Sequence, residues 1–166
     1  MKTIQTILFT AYFCLVMIVL GGTIFSVLVE YPNWFASVPQ SLEATRTFYK
    51  VFHPGYFFQI FGPLMLLTAI AFIIVAWRIA AARNLVLISI ALFVSIELLT
   101  FFYIYPRLNI LFGPDSASQA VEELRLASQQ FTTADRIRTV LMFIASGSGI
   151  AALFRFFKHQ YEPELL

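Results

Sequence analysis

Residues 54–77, PGYFFQIFGPLMLLTAIAFIIVAW, decide the fold because they carry no charged side chain. An α-helix rises about 1.5 Å per residue, so about 20 mostly apolar residues cross the hydrocarbon core of a bilayer. This stretch is therefore predicted to be a transmembrane helix. Three further stretches meet the same criterion, and the four predicted spans cover residues 4–29, 54–77, 84–105 and 136–157.

The composition of the whole chain agrees with this interpretation. The 166 residues are 60% hydrophobic and 12% charged, whereas a soluble domain is about a quarter charged. The predicted fold class is therefore all-α, a four-transmembrane-helix bundle that forms one integral membrane domain over residues 1–166. The net charge of +2 is small and no basic block occurs, which excludes a nucleic-acid partner.

Basic residues in the short segments predict how the bundle is oriented. Lys2, the connection with Arg78 and Arg83, and the last segment with Arg155 and Lys158 are basic over few residues. Because such residues stay on the cytoplasmic side, both termini are expected to be cytoplasmic, in the inner membrane if the cell is bacterial. The uncharged run from residue 3 to 29 exceeds the 7–15 apolar residues of a signal core, so it is expected to be a retained span.

The two long loops, predicted to lie outside, each carry an amphipathic pattern. Ser41 is the predicted cap of a short helix in the first loop. In the second loop, Asp115 or Ser116 is predicted to cap another helix, and Asp135 to cap the fourth span separately. The order Tyr-Pro followed by a loop helix occurs after spans one and three, which suggests a duplicated hairpin.

Glu97 is the most informative residue, since it lies about eight residues, or roughly 12 Å, inward from the outer end of the third span. Acids within membranes usually face the bundle interior and a partner, and can exchange a proton. The alternative is a structural carboxyl group hydrogen-bonded to a neighbouring helix. His53 begins the second span at the same level. Glu97 and His53 are therefore the candidate catalytic residues.

Other polar and aromatic residues converge on the same half of the bundle, where membrane bundles commonly place their sites. Singly, each has a structural explanation, such as the aromatic belt at the membrane interface. As a set they are candidate ligand-binding residues: Glu30, Trp34, Tyr103 and Arg138.

No metal or cofactor is predicted. Only two histidines occur, and His159 lies on the opposite side of the membrane from His53, which argues against a bis-histidine haem. A ferritin-like di-iron centre needs paired Glu-x-x-His motifs, and none exists. A single mixed metal site of His53 with Glu30, Glu97 or Asp135 stays open.

The chain resembles the anthrone-oxygenase-like family of small four-span membrane proteins. The resemblance rests on the four-span layout, Gly21-Gly22 before a polar exit, Pro106-x-x-Asn109 after span three and Asp135-Arg136-Ile137-Arg138 at the start of span four. It implies base-promoted oxidation of an anthrone by dioxygen without a cofactor. Glu97 or His53 would be the base. The resemblance also implies that Phe93, Phe101 and Phe102 form aromatic walls. It implies that Tyr103 or Arg138 donates to the phenolate, and that Asn109 is a ligand-binding amide.

Three hypotheses for function follow. The first is a membrane enzyme or binder for a small hydrophobic, aromatic molecule in a pocket around Glu97. The second is a non-catalytic accessory subunit that packs on a larger membrane complex or on further copies of itself. The third is a proton or ion pathway, which is disfavoured because no polar chain continues from Glu97 through the membrane.

Overall fold

A computed structural model of the chain describes residues 2–161, and within them every regular element is helical. This confirms the predicted all-α class. The five helices, labelled in chain order, are α1 (Lys2–Trp34), α2 (Gln40–Phe48), α3 (Pro54–Val75), α4 (Ala80–Phe112) and α5 (Val121–Tyr161).

Four of these helices, all except α2, are long and apolar enough to cross a membrane. The chain is therefore an integral membrane protein with four spans. Helix α1 packs on α3 and α4 packs on α5, so that two hairpins lie side by side, joined mainly by α1 against α5. We call the end of the bundle that carries the tight connection 76–79 the closed end, and the opposite end the loop end.

The closed end is a solid apolar core. The ring of Phe9 lies between those of Phe72 and Phe156, with centroid distances of 4.7 and 4.9 Å, and all three side chains are fully buried. Close above them, the Tyr12 hydroxyl donates a hydrogen bond of 2.8 Å to Ser89. Edge-to-face and offset aromatic packing of this kind fixes the helices against one another.

A π-helical turn interrupts α1 at Ser26–Glu30 and α4 at Thr100–Ile104. Each turn ends at a Tyr-Pro pair. The Tyr31 N–H donates to the carbonyl of Ser26, five residues back, and Tyr105 makes the corresponding bond. A proline cannot donate the normal helical bond and its ring crowds the carbonyl four residues earlier, so the wider turn accommodates it. Both hairpins therefore use the same device at the same place.

The helix of the first loop was predicted correctly apart from its cap, and the helix of the second loop was predicted incorrectly. Helix α2 confirms the first helix, but it begins at Gln40 after Pro39, so Ser41 is not its cap. The Ser41 hydroxyl instead donates a hydrogen bond of 2.7 Å to the carbonyl of Trp34. In the second loop only a 3₁₀ turn forms at Ser116–Ser118, and α5 then runs unbroken from Val121, so Asp135 is not a helix cap. No glycine or proline occurs between residues 121 and 146, and one face of this region is buried on the loop-end core through Leu124, Ala127, Phe131 and Ala134.

Candidate functional site

A cleft of about 590 Å³ opens at the loop end, between the beginning of α3 and the last turns of α4. Residues from α2 and the segment after it close its third side. The lining combines aromatic rings with polar side chains: Trp34, Thr45, Arg46, Tyr49, His53, Pro54, Gly55, Gln59, Tyr105, Leu108, Asn109, Phe112 and Gly113. Ligand sites commonly have 300–1,000 Å³ of this kind of mixed surface.

Three residues predicted from the sequence line this cleft, namely His53, Trp34 and Asn109. His53 precedes the first turn of α3, where its Nδ1 accepts a hydrogen bond of 3.1 Å from the N–H of Gly55, and its ring lies 4.3 Å from that of Tyr56. A neutral imidazole that accepts at Nδ1 carries its proton on Nε2. His53 in this state offers a hydrogen-bond donor.

Arg46 holds α2 against the end of α4. Its guanidinium donates two hydrogen bonds to the Leu111 carbonyl, of 2.7 and 3.1 Å, and pairs with Glu43 at 3.0 Å. Leu111 belongs to the last turn of α4, whose carbonyls have no partner within the helix. Arg46 thus helps to fix the third side of the cleft.

Glu30 lies behind the cleft and is enclosed by hydrogen-bond donors. Tyr49 donates to its Oε1 at 2.7 Å, Ser26 donates to its Oε2 at 2.6 Å, and the residue is 7% exposed. The side chain of Trp34 also hydrogen-bonds Tyr49. Burial and the hydrogen bond to the carboxylate raise the pKa of Tyr49 to about 12, so it remains a donor at neutral pH.

Arg138 and Asp135 form a second buried polar group next to the first. The two side chains are ion-paired and only 13% and 3% exposed, and Arg138 donates a hydrogen bond of 2.8 Å to the hydroxyl of Tyr31. Tyr31 follows Glu30 in α1. The predicted ligand-binding residues Glu30 and Arg138 therefore support the wall of the cleft from behind and do not line it.

Glu97 is exposed on the side of the bundle. Its carboxylate makes no hydrogen bond or ion pair with any of residues 2–161, although the charge of Arg138 attracts it. The prediction that its own neighbours enclose Glu97 is wrong for the single chain. Across from it on α3 is Gly62, where an added methyl carbon would lie 3.7 Å from Oε1. The absence of a side chain at Gly62 lets the Glu97 carboxylate lie close to the backbone of α3.

Glu97 is nevertheless close to the cleft. Gln59 lines the cleft on α3, and Gly62 follows it by three residues, which is roughly 4.5 Å along the helix. The carboxylate therefore lies about one helical turn deeper than this edge of the cleft.

The structure does not bring the remaining predicted aromatic residues into the cleft. Phe93 is buried in the apolar core at 3% exposure, whereas Phe101 and Phe102 are 63% and 70% exposed on the bundle surface. The ring of Tyr103 lies 3.7 Å from the guanidinium of Arg107. The aromatic walls are instead Trp34, Tyr49, Tyr105 and Phe112.

Sequence reasoning missed several lining residues, of which one carried a signal. Gln59 is the only strongly polar side chain between Tyr56 and Thr68 in a span that is otherwise apolar. Arg46 and Tyr49 had no comparable signal, because an arginine and a tyrosine in a loop are ordinary until the loop folds onto its partners.

Among residues 2–161, no group of three or more histidine, cysteine, aspartate or glutamate side chains is placed to hold a metal ion. His53 lies at the rim, with its Nδ1 engaged by the Gly55 N–H. The mixed metal site that the sequence left open gains no support from this arrangement.

The fold and the cleft define a four-span integral membrane protein with a mixed aromatic and polar cavity at one end of its bundle. The chain belongs to the anthrone oxygenase family, because the family model described as anthrone oxygenase matches residues 48–148, more than half of the chain. Comparisons with curated proteins and with solved structures found no match. The matched segment includes every lining residue of the cleft from Tyr49 to Gly113.

Proposed function

We propose that this protein binds a small aromatic molecule in the loop-end cleft and oxidises it with dioxygen, as the name of its family says of anthrones. The single observation that carries this proposal is the cleft itself. It is about 590 Å³ in volume, has four aromatic walls and lies mostly within the segment that matches the family. A three-ring aromatic ketone fits the size and the chemistry of such a cavity.

The proposed reaction needs one base and one donor. The base removes a proton from the benzylic carbon of the anthrone, and the electron pair spreads into the ring system as a phenolate. This carbanion gives its electrons to dioxygen and forms a peroxide at the same carbon, which loses water to leave the quinone carbonyl. One anthrone and one dioxygen thus give one anthraquinone and one water.

Glu97 is the proposed base. Its carboxylate lies beside Gly62, one turn of α3 beyond the cleft residue Gln59. A ring system that extends past Gln59 would bring its benzylic carbon toward this carboxylate. A positioned general base of this type accelerates a proton transfer by roughly 10² to 10⁴.

His53 and Asn109 are the proposed donors to the phenolate oxygen. The Nε2 proton of His53 follows from the hydrogen bond at Nδ1, and the amide of Asn109 lies on the α4 side of the same cleft. Donors aimed at a developing oxyanion stabilise it most in surroundings of low dielectric constant.

The test is oxygen uptake and quinone formation from an anthrone by the purified protein in lipid nanodiscs. Glu97→Gln should lower the rate by roughly 10² or more, and His53→Ala by a smaller factor. Glu123→Gln, an exposed carboxylate near the start of α5, is the matched control and should keep the wild-type rate. Full activity in both Glu97→Gln and His53→Ala would end this scheme.

The accessory-subunit hypothesis is the second candidate, and one observation favours it. An exposed carboxylate within a span is costly in lipid unless a neighbour covers it, and Glu97 has no hydrogen-bond partner among residues 2–161. A donor on another membrane protein, or on a second copy of this chain, would meet that need. In that case Glu97→Gln would reduce the size of the complex extracted in mild detergent while any oxidation rate stayed the same.

A further inference from the structure

A second groove lies on the other side of the loop end, away from the cleft. It has a volume of about 560 Å³ and runs between α5 and the segment of residues 35–38 that follows α1. Its α5 side carries two arginines, Arg125 and Arg136, with amide and hydroxyl side chains between them. Nothing in the proposed oxidation uses this groove.

Arg136 is the distinctive residue of the groove. It is exposed and forms no hydrogen bond or ion pair with any of residues 2–161. The neighbouring Arg138, by contrast, is fully engaged with Asp135 and Tyr31. A guanidinium at the end of a membrane span with five free donors is suited to a phosphate, which it binds with charge-assisted hydrogen bonds.

The hydroxyl groups of the groove are suited to a ligand group other than a phosphate. Ser128, Thr132 and Thr133 each donate their hydroxyl proton to a carbonyl of α5 itself, at 2.8 to 2.9 Å. Their oxygen atoms can therefore still accept but not donate. Such oxygens match the hydroxyl donors of a polyol and do not match the acceptor oxygens of a phosphate.

The helix face that forms the groove continues into an apolar surface. Residues at spacings of three and four share one face of a helix. Val140 and Ile144 follow Arg136 at intervals of four, and they are 58% and 54% exposed. At Gly147 an added methyl carbon would have no neighbour within 4 Å. Along α5, the polar groove is followed by a free arginine and then by an exposed apolar strip. This order matches that of headgroup, phosphate and acyl chain in a phospholipid.

From these observations we infer that the groove is a binding site for an anionic phospholipid with a polyol headgroup. The phosphate is held by Arg136, the headgroup hydroxyls donate to Ser128, Thr132 and Thr133, and an acyl chain lies along Val140 and Ile144. Arg125 stands at the far end and shares its charge with Glu122 at 3.2 Å. A quaternary ammonium has no N–H or O–H to donate to the accepting oxygens of the groove, so choline lipids are disfavoured.

The experiment is native mass spectrometry of the purified full chain with an equimolar mixture of phosphatidylglycerol and phosphatidylcholine that have the same acyl chains. We expect phosphatidylglycerol to be preferred a few-fold, because its headgroup hydroxyls can donate to the accepting side-chain oxygens of the groove and a choline headgroup cannot. Arg136→Gln should weaken the binding of both lipids on the order of tenfold, the effect of one charge-assisted contact with the phosphate that both carry. Arg155→Gln, an exposed arginine on the same helix at the closed end, should leave both affinities unchanged. Unchanged affinities in Arg136→Gln would overturn the assignment.

Two further measurements test the polyol contact and the lipid nature of the ligand separately. Thr132→Val keeps the shape of the side chain but removes the accepting oxygen, so it should weaken phosphatidylglycerol a few-fold and leave phosphatidic acid, which has no polyol, unchanged. Equal loss for both lipids would overturn the polyol contact. Free glycerol phosphate supplies the same chemistry without chains. If it binds in detergent as well as the lipid does, the ligand is a soluble phosphate ester and the lipid assignment is wrong.

Discussion

Two carboxylates at the loop end, Glu30 and Glu97, show how differently the two hairpins treat an acid in a span. Glu30 is the last residue of the π turn in α1, is buried, and accepts hydrogen bonds from Ser26 and Tyr49. Glu97 precedes the equivalent π turn in α4, is exposed, and has no hydrogen-bond partner among residues 2–161. The first is arranged as a structural group. The second is arranged as one that is free to meet something outside its own chain.

The ion pair of Asp135 and Arg138 is buried next to Glu30, on the other side of Tyr31, so Arg138→Gln is expected to have the largest effect on stability. Removing one partner of a buried pair leaves a charge uncompensated and costs about 3–5 kcal/mol. The free energy of unfolding, measured by titration with a denaturing detergent, should fall by that amount. The double variant Asp135→Asn/Arg138→Gln should recover part of the loss, while Arg155→Gln should cost under about 0.5 kcal/mol.

Tyr49→Phe tests the hydrogen bond that encloses Glu30, and the expected cost is about 1–3 kcal/mol. This variant also changes the pH dependence. The pKa of Tyr49 is about 12 in the folded protein, whereas the ordinary value for tyrosine is 10.0. The stabilising contribution of Tyr49 is therefore complete below pH 10 and is lost as the pH rises to about 12. The stability difference between wild type and Tyr49→Phe should therefore shrink over that window. A difference that stays constant to pH 12 would contradict the assigned role.

Two glycines, one beside Glu97 and one on α1, differ in how tightly a neighbouring helix packs on them. At Gly62, beside Glu97, an added methyl carbon would make an ordinary contact of 3.7 Å, whereas at Gly22 it would lie 2.4 Å from the ring of Phe57. Gly62→Ala should be stabilising by about 0.5–1 kcal/mol from helix propensity alone. Gly22→Ala should be destabilising, because Phe57 must shift. Thermal unfolding of the two variants measures the contrast, which fails if both change in the same direction.

Glu97→Gln is expected to have the smallest effect on stability, under about 0.5 kcal/mol, because no hydrogen bond within residues 2–161 is lost. Glu30→Gln is the matched substitution and should cost about 1–3 kcal/mol, since the enclosing donors of Ser26 and Tyr49 lose a charged acceptor. Detergent titration of both variants under the same conditions gives the comparison. Equal losses would mean that Glu97 also has a structural partner.

The candidate site was predictable only in part. His53, Trp34 and Asn109 were predicted and line the cleft, because a helix start, an interface aromatic and a polar residue near a span end all lie at the same depth. Phe101 and Phe102 were expected in the walls from the family resemblance, yet both are exposed on the bundle surface. Depth in the membrane follows from position in the chain, but the direction in which a side chain faces does not.

The amino-acid sequence by itself determined the four spans, the membrane environment and the first loop helix. These features depend on length, hydropathy and local pattern, which are properties of each segment taken alone. Only the tertiary structure decided which carboxylate was enclosed, that α2 closes the cleft through Arg46, and that α5 continues through the second loop. Each of these depends on how a helix is rotated and on which distant donor meets which acceptor, and those pairings arise only when the helices pack.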